Sequence, residues 1–181
     1  MRLTLRPGKL RIMSAELPDV GPSTDVRELL LTYLDFYRAA VTDKLSGLSD
    51  ADLRTSRLPS GWTPIELLKH LVFMERRWLV WGVRGDQVDE PWGDDRNGRW
   101  SVPPEETVEE WLAALHQGGR RTREIVAGLP LTAIAARTGR FADRSTPPSV
   151  TAVLFHVLQE YARHAGHLDI ARELIDGSTG E

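Results

Sequence analysis

The 181-residue chain contains no cysteine. Disulfides, thiolate metal sites and a nucleophilic thiol of its own are therefore excluded. A metal must rest on His, Asp or Glu, and any thiol chemistry must draw its sulfur from another molecule. The same lack fits a cytoplasmic location, where disulfides are rare. No apolar run approaches the ~20 residues needed to span a bilayer, so a membrane is not an expected partner. Charge of one sign is also missing: 23 Lys and Arg stand against 26 Asp and Glu, a formal net charge of -3. That balance leaves no basic footprint for nucleic acid. Internal repeats are absent, as is any strand pattern longer than a few residues.

What is present fits one soluble domain, able to bury roughly 70% of its unfolded surface without covalent staples. Hydrophobic residues at 41% and charged residues at 27% exclude a wholly disordered chain. Residues 1–22 are read as a flexible extension, broken by Pro7, Gly8, Pro18, Gly21 and Pro22. Their basic start lacks the continuous apolar core of a secretory signal. The domain is expected over residues 23–181.

Four long helical patterns follow. The first covers about residues 24–47, with Ser23, Thr24 or Asp25 as N-cap and Leu30, Leu34, Tyr37 and Val41 at helical steps. A short turn capped by Ser49 comes next. The second opens on the capping box Thr63-Pro-Ile-Glu66 and runs to about residue 84. The third opens on a second box, Thr107-Val-Glu-Glu110, and carries Gly118 and Gly119 in its middle, which mark a kink or a close helix contact. The fourth starts at or near Ser149 and stops at Gly177. Two long connections, residues 85–104 and 130–148, separate the second, third and fourth helices. Long loops are often functional, and Trp92 and Trp100 in the first of them are candidates to close over a substrate pocket. The expected architecture is an all-α four-helix bundle.

The chemistry concentrates on the fourth helix. His156, Glu160, His164 and His167 fall within one narrow stripe, flanked by Val153, Val157, Leu168 and Ala171. Four ionisable groups on a face that a bundle buries are costly unless they form a hydrogen-bond network or hold a metal. His70, within the apolar pattern of the second helix, supplies a further imidazole. His70, Glu160 and His164 together make two imidazoles and one carboxylate, a set that leaves a coordination position open for substrate on zinc or iron. His156 is read as orienting Glu160. His167 is a group that supports a metal ligand from outside, a proton shuttle, or a helix-face imidazole bonded to a carbonyl or to Asp169. Arg163 and Arg172 are either anion-binding groups or ordinary surface arginines. His116, among polar residues, is read as surface.

At these residues the chain resembles the DinB-like metalloenzyme superfamily of four-helix bundles. The stretch GLSDADL…SGWTPIELLKHLVFMERRW is similar to the first half of an actinobacterial branch of unassigned function, and HVLQEYARHAGHLDIARELIDGSTGE to its closing helix. The likeness covers about residues 24–181. It implies that His70, Glu160 and His164 hold a divalent metal, zinc first, with nickel or iron as alternatives. Glu160 matches the Glu-x-x-x-His pair of mycothiol-dependent maleylpyruvate isomerase. Mycothiol is thus implied as cosubstrate, with a small electrophile as its partner. The leading expectation is a metal-dependent thiol transferase or isomerase, with His167 as its proton-handling residue. A metal-dependent hydrolase, drawing on His167 or Glu66 as base, and a non-catalytic binding or stress-response bundle are the alternatives. A homodimer is left open.

Overall fold

The structure, a computed structural model, describes residues 17, 18 and 21–179. The extension expected over residues 1–22 lies almost wholly outside the described residues. Four long helices form the bundle: α1 (Val26–Leu45), α3 (Pro64–Trp78), α4 (Val108–Ala127) and α5 (Val150–Asp176). A single turn, α2 (Asp50–Leu53), follows α1. The principal contacts run α1 to α5, α5 to α3, α3 to α4 and α4 to α1, so the helices close a four-sided ring around one core.

Local chemistry sets the helix ends. Asp25 caps α1 by accepting from the amides of Arg27 and Glu28, and Ser49 caps α2. Both capping boxes close, with Glu66 and Glu110 each accepting from the backbone amide of its N-cap threonine at 2.8 Å. Gly177 ends α5 in the left-handed conformation, φ 76°. Arg172 is buried, pairs with Asp176, and donates to the carbonyls of Lys44 and Ser46 at 2.9 and 2.8 Å. It therefore seals the C-terminal end of α1 and pairs with an acid; buried as it is, it is neither an open anion-binding group nor an ordinary surface arginine.

The second helix differs from expectation at its end. Leu79–Val83 continue it as one wider π turn. Gly82 sits in that turn so close to Phe141 that an added Cβ would lie 3.0 Å from the ring. The widened backbone and the missing side chain together seat Phe141, which is 1% exposed, from the second long loop.

A buried polar brace ties all four long helices together. Glu75 of α3 accepts from Arg38 of α1, Thr122 of α4 and Tyr161 of α5, the last at 2.6 Å. Glu75 and Arg38 are 2% and 3% exposed. Burial works against the charge on Arg38, but Glu75 beside it raises the guanidinium further above its ordinary range. Burial first, and then the Glu75 charge, push the Tyr161 hydroxyl well above its usual value, so it stays a neutral donor. Gly119 has its place here. A Cβ on it would lie 3.0 Å from the Cδ and Nε atoms of Arg38, so the glycine marks a close approach, and α4 runs through it without a break.

Candidate metal and substrate site

The long loop after the π turn does more than connect. Its residues Asp95–Arg96 (β1) and Arg99–Trp100 (β2) form a hairpin closed by Asn97-Gly98. Both turn residues have positive φ, 59° and 77°, the geometry that matches the twist of a two-residue hairpin. The amide of Ser101 donates to the carbonyl of Asp94 at 3.0 Å, carrying the pairing one step further. The hairpin thereby delivers Asp94 and Trp100 to the same imidazole, His70.

His70 stands on α3, and Glu160 and His164 stand on the neighbouring α5. One ligand-capable atom from each lies within 4.8 Å of the others. His164 is buried, while His70 and Glu160 are half-buried. His70 Nδ1 lies 3.0 Å from Asp94 Oδ2. Asp94 is 2% exposed and also receives both Nη groups of Arg77, at 2.5 and 3.1 Å. Burial works against that carboxylate, but its bonds to His70 and Arg77 hold it below the usual range. An ionised acceptor at this distance assigns the His70 proton to Nδ1. Nε2 is then left as a lone-pair donor, the arrangement by which a carboxylate commonly fixes a metal-binding histidine. Asp94 was not singled out by periodicity, because it sits in a loop with Asp86, Asp89 and Asp95 nearby. The Asn97-Gly98 pair was the available signal for the hairpin that carries it.

The rest of the stripe surrounds this cluster. Glu160 approaches His164 Nε2 at 3.3 Å and His156 Nε2 at 3.7 Å. His156 packs against Trp78, with ring centroids 4.0 Å apart. His167 Nδ1 lies 3.3 Å from His164 Nδ1. Its partner is thus His164, not a carbonyl or Asp169, which pairs with Lys44. One proton is shared between the two facing nitrogens, so one ring donates and the other accepts. Arg163 is exposed on the same helix. Burial first, and then the charges of His70, His167 and Arg163, push the His164 imidazole down to about 3.

The two loop tryptophans part company. Trp100 stacks on His70 at 4.2 Å and meets His164 edge-on at 5.5 Å, so it roofs the cluster. Trp92 lies beneath the guanidinium groups of Arg77 and Arg140. It also lines a cleft of about 460 Å³ with Lys69 and Glu106, whose walls include none of the three clustered residues. His116 is exposed, as expected.

The depressed His164 imidazole has a measurable consequence in metal-stripped protein. Its pKa is about 3 when folded, against roughly 6.5 when unfolded. Between those values the unfolded chain binds more protons, so stability rises with pH and falls on acidification. From pH 7 to pH 5.5 this one residue is expected to remove about 1 kcal/mol. Urea unfolding at the two pH values, in the wild type and in His164→Asn, checks it: the variant loses that part of the pH dependence. Equal pH dependence in both proteins would refute the assignment.

Comparison with known proteins places this geometry. A conserved protein from Enterococcus faecalis, known from its crystal structure, aligns with TM-score 0.62 over 86% of this chain and 100% of that one, at 14% identity. That likeness concerns the fold. No curated protein matches. Among the described residues, no helix is long and apolar enough to cross a membrane. The family model of the mycothiol-S-transferases matches residues 29–177, which takes in α1 from its second half-turn onward, the whole of α3, α4 and α5, His70 and the α5 stripe. The chain belongs to the mycothiol-S-transferase family.

Proposed function

We propose that this protein is a metal-dependent transferase that joins the sulfur of mycothiol to a small electrophile. One observation carries the reading: two imidazoles and a carboxylate from facing helices converge within 4.8 Å, in a family of mycothiol transferases. The donor set fits a divalent ion. His70 offers Nε2 because Asp94 occupies Nδ1, His164 stays neutral far below physiological pH, and Glu160 supplies the charge. Zinc is the ion this set suits first, with nickel and iron as alternatives. When bound there, the ion supplies Lewis acidity that holds a thiol as its reactive thiolate.

The remaining roles belong to the chain itself. Asp94, locked by Arg77, keeps His70 in one tautomer and one orientation. Trp100 covers the His70 ring and limits water on that side. His167 faces His164 through Nδ1 and accepts its Nδ1 proton, which leaves His164 Nε2, the nitrogen beside Glu160, with its lone pair free for the ion. His156 lies beside the second oxygen of Glu160 and restrains its rotation. Glu66, the carboxylate a hydrolase would draw on as base, is engaged in the capping box of α3.

The test is an assay of zinc-loaded protein with mycothiol and 1-chloro-2,4-dinitrobenzene, in which a carbon–sulfur bond forms, chloride leaves and the thiol proton passes to buffer. Turnover above the uncatalysed rate is expected only when both mycothiol and metal are present, and His70→Ala should abolish it. Equal rates from stripped and loaded protein would reject the metal's part. Product formed at the same rate without thiol would mark a hydrolase.

A further inference from the structure

Resting on that reading, we propose that Arg140 is the recognition group for a carboxylate on the electrophilic substrate. Its guanidinium lies over two indole faces, at 4.3 Å from the Trp78 ring and 5.4 Å from the Trp92 ring. Trp78 in turn packs on His156, whose Nε2 is 3.7 Å from the Glu160 carboxylate. Arg140 is thus held one indole away from the polar stripe, in the next layer of the α3–α5 face.

The group has cations for company and no acceptor. Among the described residues, no carboxylate or carbonyl receives its N–H donors, and Arg77 and Arg144 are the charges that act on it most. Arg77 is committed to Asp94 and the carbonyl of Pro91. Asp94 is committed to His70 and Arg77. Burial and those two like charges make the Arg140 cation harder to keep. A half-buried guanidinium that stacks on aromatics and lacks an anion leaves its planar donor fork free for one. The match for that fork is a carboxylate. Mycothiol's sulfur belongs at the His70–Glu160–His164 cluster, so the anion belongs to the other reactant. Trp92, anticipated as a substrate contact, then acts by holding Arg140 in place.

Benzoate and benzamide separate this proposal from its rivals, since they share a ring and differ in charge. Each is titrated into zinc-loaded protein and followed by tryptophan fluorescence, which Trp78 and Trp92 report. Wild type is expected to bind benzoate at least about tenfold more tightly than benzamide, as a charge-assisted hydrogen bond requires. Arg140→Gln should lose that preference, and Arg140→Lys should keep part of it. Arg137→Gln removes a charge from the same loop and should leave the preference intact. Thermal melts confirm that each variant is folded. No preference in wild type, or an equal loss in Arg137→Gln and Arg140→Gln, would overturn the proposal. Repeating the titration on stripped protein keeps the two claims apart. A preference that survives in stripped protein, while zinc-loaded protein shows no mycothiol turnover, would reject the transferase reading and leave the anion site standing.

Discussion

Alanine at His164 is expected to leave the protein without metal. Wild type, purified untagged and dialysed against trace zinc, should carry about one divalent ion per chain by elemental analysis. His164→Ala and His70→Ala should carry none above background. His70 and Glu160 are half-buried and His164 is buried, so three donors are already gathered where water competes weakly. Removing one leaves two, too few for a three-ligand catalytic site. Asp94→Asn should act more mildly. An amide side chain can still face His70, but it no longer enforces the Nδ1 proton with a full charge. Loss of such an outer partner typically weakens metal affinity about 10–100-fold. A competition titration with a chelator should order the proteins as wild type, then Asp94→Asn, then the two alanine variants. All four with equal zinc content would dismiss these ligands.

The second large effect concerns stability and lies away from the cluster. Glu75→Leu is expected to cost about 3 kcal/mol, at the lower end of the range for breaking a buried ion pair. The loss comes from Arg38, 3% exposed, whose guanidinium is left with Asp35 at 2.7 Å as its one acceptor among the described residues. The hydroxyls of Thr122 and Tyr161 lose their acceptor as well. For a chain of this size the melting temperature should fall by roughly 6–12 °C. Adding Arg38→Met to Glu75→Leu should recover much of it, because the stranded charge is then gone. A single variant within about 1 kcal/mol of wild type would show that the brace contributes little.

Sequence reasoning reached the parts governed by period and local chemistry. The α5 stripe was legible because His156, Glu160, His164 and His167 repeat at helical steps, and the structure does place them on one line beside α3. Both capping boxes were legible because the two partners lie three residues apart. Asp94 was not, since its importance comes from where a hairpin folds, and four aspartates lie within ten residues of chain. The Glu75 brace escaped for a related reason. Its members stand on four helices, and each looks like an ordinary interruption of an apolar face. Arg38 lies one turn after Leu34 and just before Val41, a position that reads as core, and Gly119 sits opposite it. Together those two features were the trace the brace left in the sequence. The π turn at Leu79–Val83 depends on Phe141 from a distant loop, which no local pattern encodes.

X-ray absorption at the zinc edge of the loaded wild-type protein tests the central claim most directly. Convergence of His70, Glu160 and His164 on one ion predicts a first shell of nitrogen and oxygen near 2.0–2.1 Å. It also predicts outer-shell scattering from about two imidazole rings, reduced to one in His164→Ala protein loaded with excess zinc. A spectrum without imidazole scattering, or one that His164→Ala leaves unchanged, would contradict it.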